Sequence, residues 1–178
     1  MTKWSLRILA VAVLAGAGYW FWLTFLPTPQ QVIQKRLNAL ARAATFPPRE
    51  AALARLANAR SLASFFTTDV EVNVDIPGRS LQTFNGRDEV LQAAVGVHSS
   101  LNGLTVDFFD ILLTVAPDKQ SAVASLTARA RIPGEKDFYV QELKLSLRKV
   151  EGDWLIFRVE TVKTLSLSPV APAFPSPA

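Results

Sequence analysis

A run of nineteen residues near the N-terminus carries no charged side chain and constrains this chain more than any other feature. Residues 8–26 are almost wholly apolar, and they end in a dense aromatic cluster of the kind that sits at membrane–water interfaces. As an α-helix this run would span about 29 Å, close to the hydrocarbon thickness of a bilayer. It therefore predicts a single membrane-spanning helix after a short tail, residues 1–7, with a separate domain behind it.

A cleaved signal peptide is the competing interpretation of the same run. Lys3 and Arg7 supply a basic start, and Ala15-Gly16-Ala17 resembles a cleavage site. The apolar run continues beyond that tripeptide to Leu26, which favours an uncleaved anchor. Because Lys3 and Arg7 lie closest to the run, we expect the N-terminus in the cytoplasm and the domain on the extracytoplasmic side of the inner membrane.

Charge is distributed unevenly over the rest of the chain. Residues 28–62 hold six Lys or Arg and one Glu, whereas residues 63–178 hold 11 basic and 14 acidic side chains. Basic residues next to a membrane attract anionic head groups, although a solvated helix face explains them equally well. They are not interleaved with aromatic residues, so no nucleic-acid partner is expected. The absence of cysteine excludes disulfides and thiolate chemistry.

The hydrophobic period is helical up to about residue 66. Thr28 and Pro29 predict the N-cap and first residue of one helix. A second helix, with Glu50 in its first turn, is expected to bury Leu53, Leu56, Ala57, Leu62 and Phe65-Phe66. Strands are predicted over 70–76 and 81–84, and a third helix capped by Asp88 runs through Val97.

The remaining pattern alternates and predicts a four-stranded antiparallel meander. Its strands are expected over 104–115, 121–132, 138–150 and 154–165, joined by short turns. Apolar residues change parity inside the first and third of these strands, which predicts β-bulges that bend the sheet. Small residues on one face of the second strand favour close helix packing, and Trp154 is interpreted as a core residue. The Pro-rich residues 167–178 are predicted to be disordered.

Three segments, residues 65–70, 84–90 and 152–159, join these elements in a pattern that resembles the NTF2-like (SnoaL-like, cystatin-like) superfamily. The resemblance covers about residues 30–165. It implies an α+β fold over residues 28–166, a roll in which three helices pack on a strongly bent, mainly antiparallel sheet. Such rolls include isomerases, dehydratases and non-catalytic modules, so the resemblance leaves activity open. A membrane helix in front of the roll is similar in architecture to assembly components of bacterial type IV secretion.

No residue motif specifies a reaction, and we assign no catalytic residue, metal or cofactor. His98 is the only histidine, so it cannot build a multi-histidine metal site; it is either a lone acid–base or a helix-capping or surface residue. Asp107 and Asp110 are pocket candidates on the first long strand, where the parity change leaves their facing open. Tyr139, the only tyrosine outside the membrane segment, is the fourth candidate.

The leading functional hypothesis is a membrane-anchored, non-enzymatic module that binds a membrane protein partner or itself as a homo-oligomer. The alternative is a binder of a small or lipid-like molecule, or a SnoaL-like or ketosteroid-isomerase-like enzyme, that uses the interior of the roll. A third possibility is an adaptor that binds a lipid surface through residues 28–62.

Overall fold

The computed structural model describes residues 27–75 and 81–162 of the 178-residue chain. The predicted membrane segment, residues 8–26, and the predicted Pro-rich tail lie outside these ranges. Among the described residues, none of the helices combines the length and the apolar character that crossing a bilayer requires.

Residues 27–75 and 81–162 contain three helices: α1 (Pro29–Ala44), α2 (Ala52–Ala63) and α3 (Arg87–Ser100). Thr28 caps α1 as predicted, because its hydroxyl accepts a hydrogen bond from the Gln31 backbone while the Gln31 side chain accepts one from Thr28. The predicted cap of α3 was wrong. Gly86, at φ 86°, is the N-cap, and Asp88 lies in the first turn. The Gly86 N–H donates to the Val70 carbonyl at 2.7 Å, so a turn that needs a positive φ sets the start of α3.

The apolar stripe predicted for α2 was wrong at its first three positions, whereas its last three residues lie in or against the core. Leu53 is 85% exposed and Leu56 is exposed as well, whereas Ala59 and Ala63 are buried. Helix α2 packs against α1 and α3, and small side chains let the helices approach closely. Glu50 lies before the start of this helix, not in its first turn.

In the part of the chain that the structure describes, six strands form one sheet in the order β2-β1-β6-β5-β4-β3. Strands β1 and β6 run parallel, and every other neighbouring pair is antiparallel. The prediction of an α+β fold with a mainly antiparallel sheet is confirmed. The strands are β1 (Phe66–Val74), β2 (Gln82–Asn85), β3 (Thr105–Val115), β4 (Ser121–Arg131), β5 (Tyr139–Val150) and β6 (Asp153–Thr161).

One of the two predicted bulges is present. In β3 the pairing with β4 skips a residue between Phe109 and Leu112, and Asp110 adopts a φ of 51° there. The bulge predicted in the third strand of the meander was wrong, because β4 and β5 pair without interruption from Ser121 to Ala130. The β5–β6 pairing does shift next to Ser146, but the extra residue there belongs to β6. The parity change arises because Val140, and Phe138 just before β5, are exposed.

The core lies between the helices and one face of the sheet. Ile33 and Leu37 of α1 join Leu147 and Ile156 of the sheet in one cluster of buried side chains. Trp154 is 3% exposed and belongs to this cluster, as expected. Ala122, Ala124 and Leu126 of β4 are also buried in it, which agrees with close packing on the inner face of the sheet.

Candidate functional site

An apolar cavity of about 340 Å³ lies between the helices and the sheet. Helices supply Ala44, Leu62, Val90, Ala93, Ala94 and Val97, and the sheet supplies Phe66, Val72, Phe84 and Val159. Phe46, Leu104 and His98 complete the lining, and His98 is the sole ionisable side chain among these residues. The cavity therefore offers an apolar chamber with a single polar group in its wall.

His98 is held by a partner that is 48 residues away in the sequence. Its Nδ1 lies 2.8 Å from Glu50 Oε2, and the two side chains are 2% and 6% exposed. The other carboxylate oxygen, Oε1, accepts a hydrogen bond from the Asn58 side chain. Both oxygens of Glu50 are thus engaged, so the buried carboxylate is compensated rather than isolated.

Phe46 packs against one face of the His98 imidazole ring. The Phe46 and His98 rings stack with centroids 3.9 Å apart and planes 22° from parallel. Phe46 is itself anchored by two backbone hydrogen bonds of 2.9 Å to Leu104, just before β3. Gly103 next to it has a φ of 96°, and a Cβ there would lie 3.1 Å from the Pro48 nitrogen, so this close approach needs glycine.

This geometry leaves one ring nitrogen of His98 available. When Nδ1–H donates to Glu50, Nε2 carries the lone pair, and no hydrogen bond joins Nε2 to any residue in the described ranges. A carboxylate that accepts from one ring nitrogen in this way fixes the orientation of the imidazole. Nε2 is therefore a candidate hydrogen-bond acceptor on a residue that lines the cavity.

The structure does not bring the four sequence candidates together, since only His98 lines the apolar cavity. Asp107 is exposed and pairs with Arg129 at 3.4 Å, beside a separate surface groove. Asp110 is exposed at the β3 bulge. Tyr139 is 43% exposed, and its hydroxyl donates to Glu135 at 3.0 Å. This hydrogen bond and the Glu135 charge raise the pKa of Tyr139 above its ordinary value.

Sequence reasoning considered His98 but missed Glu50 as its partner. Glu50 was interpreted as a first-turn residue that complements a helix dipole, and nothing in the local pattern links it to position 98. The contact arises from tertiary structure, because the segment between α1 and α2 crosses the end of α3. Among the described residues, no group of three or more His, Asp or Glu side chains is placed to hold a metal ion.

No protein-family model and no curated protein matches this sequence. Solved structures do match. An NTF2-like protein with a cystatin-like fold from Novosphingobium aromaticivorans is 18% identical, with a TM-score of 0.60 over 86% of this chain and 90% of that one. A scytalone dehydratase-like protein from the same organism is 18% identical, with a TM-score of 0.54 over 74% of this chain and 81% of that one.

A third match is an NTF2-like protein of unknown function from Pseudomonas putida. It is 12% identical, with a TM-score of 0.57 over 72% of this chain and 82% of that one. Matches at this level of identity show that the fold is shared, and they carry no information about activity. The described domain therefore has an NTF2-like, cystatin-like α+β fold, as the resemblance implied.

Proposed function

We propose that this chain is a membrane-tethered module that binds an apolar small molecule in the cavity between its helices and its sheet. The observation that supports this most strongly is an apolar cavity of about 340 Å³ whose lining includes His98, a histidine held by the buried Glu50 carboxylate. Ligand sites typically have such a volume, an apolar lining and few polar groups that fix orientation. This is the alternative hypothesis from the sequence, favoured now over the purely protein-binding one.

The ligand is expected to carry a hydroxyl group or another hydrogen-bond donor at one end. His98 Nε2 would accept that hydrogen bond, and Glu50 would keep the acceptor nitrogen turned toward the ligand. The rest of the lining offers only apolar contact, so affinity would come mainly from buried apolar surface. An aliphatic alcohol is therefore a suitable first probe.

Methyl NMR on the full chain in lipid nanodiscs would test this proposal. We expect 1-octanol to shift the methyl signals of Val72, Val90 and Val97, which line the cavity, and to leave Leu112 on the opposite face of the sheet unchanged. Native mass spectrometry of the same preparation would detect a molecule retained from the cell.

Two variants distinguish binding of octanol in the cavity from its nonspecific binding to apolar surface. Ala93→Phe places a ring in the lining and should abolish the shifts at Val72 and Val97. Ala57→Phe makes the same change at an exposed position of α2 and should leave them intact. The proposal is overturned if octanol leaves the cavity methyls unshifted in the wild type, or if Ala93→Phe binds like the wild type.

The tether is proposed from the sequence of residues 8–26. Nineteen uncharged residues favour stable insertion in a bilayer. We expect the full chain to stay in the membrane pellet after alkaline carbonate extraction and to be digested by protease added to intact spheroplasts. Release by carbonate would count against the anchor, and protection from protease would place the domain in the cytoplasm.

A second function, self-association, is supported by a different surface. An outer-face patch of Phe109, Phe138 and Val140 surrounds Arg129 on the side of the sheet that faces away from the helices, and these apolar side chains are 40%, 50% and 58% exposed. The Arg129 guanidinium lies 4.5 Å from the Phe109 ring centroid and 5.3 Å from that of Phe138. Aromatic residues and arginine are enriched in protein interfaces.

Sedimentation of the full chain in detergent micelles would test this second function. Val140→Glu places a charge within the outer-face patch and should weaken association roughly tenfold, whereas Leu53→Glu on exposed α2 should not. A wild-type chain that stays monomeric at all concentrations would rule out the patch as a self-association surface.

A further inference from the structure

A second, polar recess of about 310 Å³ adjoins the apolar cavity. Phe46 and His98 line both spaces, so the two spaces meet at this pair of stacked rings. The recess is also lined by Arg49, Arg55 and Asn102.

The carboxylate of Glu50 and the amide oxygen of Asn102 are engaged in this recess, whereas some side-chain donors remain unpaired. Both carboxylate oxygens of Glu50 are engaged by His98 and Asn58, and the Glu50 carbonyl accepts from Arg55 Nε at 3.0 Å. Asn102 Oδ1 accepts from the Arg49 backbone N–H at 3.2 Å. The Asn102 amide N–H groups and the Arg49 guanidinium have no described partner. A ligand that accepts hydrogen bonds would therefore meet unpaired donors of Asn102 and Arg49.

Charge in the recess points to the same class of ligand. Two guanidinium groups and one carboxylate line the recess, and that carboxylate is buried against His98. Helix α3 ends here, and its Val97 carbonyl accepts from the Leu101 N–H at 3.0 Å and the Ser100 hydroxyl at 3.2 Å. The following carbonyls oppose an anion, so the two guanidinium charges would have to outweigh the negative end of this helix. Guanidinium groups bind carboxylate and phosphate oxygens in a planar, bidentate arrangement.

We propose that this recess is an anion-binding site that takes a carboxylate or phosphate group, with Arg49 and Arg55 as its binding residues. The group is either the head of an amphiphile whose apolar part occupies the adjoining cavity, or a free oxyanion. The amphiphile form rests on the proposed function, since it needs the cavity to hold the apolar part. The recess alone can be tested without it.

The test uses the full chain in zwitterionic nanodiscs, with the Asn102 side-chain amide as reporter of the recess and the Val97 methyls as reporter of the cavity. Inorganic phosphate should shift Asn102 alone if a free oxyanion suffices. Octanoate should shift both reporters if one amphiphile joins the two spaces, whereas 1-octanol should shift Val97 alone. Either of the first two results supports the anion site and identifies its source.

Substitution of the arginines provides the control. Arg49→Gln and Arg55→Gln should each weaken anion binding roughly five- to tenfold, because each removes charge-assisted hydrogen bonds. Arg60→Gln, on the exposed surface of α2 outside the recess, should bind like the wild type. Arg49→Gln is the decisive variant, since the Arg49 side chain has no described partner whose loss could disturb the fold.

The inference is overturned if neither phosphate nor octanoate shifts Asn102, or if Arg49→Gln and Arg55→Gln both bind anions like the wild type. A shift of Val97 by octanol in the same experiment would show that the proposed cavity function survives this failure. If octanol has no effect but phosphate shifts Asn102, the cavity function fails and the anion site stands.

Discussion

The two faces of the β-sheet carry similar side chains in opposite environments. On the inner face, Leu147 and Ala124 are fully buried against the helices. On the outer face, Leu112 is 72% exposed. Arg129 and Asp107 form an ion pair there, and both side chains are about half exposed. The contribution of a leucine or an ion pair to the free energy of unfolding therefore depends on its burial more than on its residue type.

The largest contrast should come from one substitution made on both faces. Leu147→Ala removes buried methyl groups and leaves a cavity, so we expect the free energy of unfolding to fall by about 2–5 kcal/mol. Leu112→Ala removes the same atoms from an exposed position and should change it by less than about 0.5 kcal/mol. Urea denaturation of both variants measures the difference. Equal losses would mean that the outer face is covered in the native protein.

The buried Glu50–His98 pair should weigh more than any outer-face ion pair. Glu50→Ala leaves His98 Nδ1 and the Asn58 amide without their acceptor in a buried site, and we expect a loss of about 2–3 kcal/mol. Asp107→Ala, which removes the exposed partner of Arg129, should lie within about 0.5 kcal/mol of the wild type. A comparable loss in both variants, measured by urea denaturation, would show that the Glu50 contact contributes no more than a surface pair.

Much of the fold could be predicted from sequence because the pattern of apolar residues reports which face is buried. The strands of the meander and the bulge near Asp110 follow from alternation alone. The same rule failed at the start of β5, where Val140 and the preceding Phe138 are apolar but exposed, and in α2, where Leu53 is exposed. In these places apolar side chains lie outside the core, and the local sequence pattern does not distinguish them from buried ones.

The site was less predictable than the fold for two physical reasons. A cavity is lined by the same apolar residue types that fill a core, so sequence pattern does not distinguish a void from close packing. The Glu50–His98 contact joins positions that no helical or strand periodicity relates. His98 was singled out only because the chain contains no other histidine.

Larger side chains should also affect stability differently on the two faces, and the difference should be smaller than that caused by removing buried methyl groups. Ala124 is fully buried and Ser125 is exposed, although they are neighbours on β4. Ala124→Leu forces extra atoms into the packed inner face and should cost about 1–3 kcal/mol. Ser125→Leu should leave stability nearly unchanged. Tolerance of Ala124→Leu, judged by thermal unfolding, would indicate that the inner face has spare room near β4.

The smallest effect concerns an outer-face carboxylate and its dependence on pH. Glu71 accepts hydrogen bonds from the Asn73 side chain and from Arg158, each at 2.8 Å. The Asn73 hydrogen bond first and the Arg158 charge second lower the pKa of Glu71 below its ordinary value of 4.5. A carboxyl group with a lowered pKa in the folded state stabilises the fold above the unfolded pKa and loses that contribution as pH falls through the folded pKa.

We therefore expect Glu71→Gln to flatten slightly the decline in stability below pH 4.5. The effect should be small because Glu71 and Arg158 are 41% and 46% exposed, and salt should reduce it further. Urea midpoints at about pH 6 and about pH 3, at low and high salt, would measure it against Glu151→Gln, an exposed turn residue without a described ion pair. A large, salt-independent change in Glu71→Gln alone would mean that this carboxylate is shielded from water in the native protein. That result would break the contrast between the faces, since a covered outer face needs a partner that lies on it.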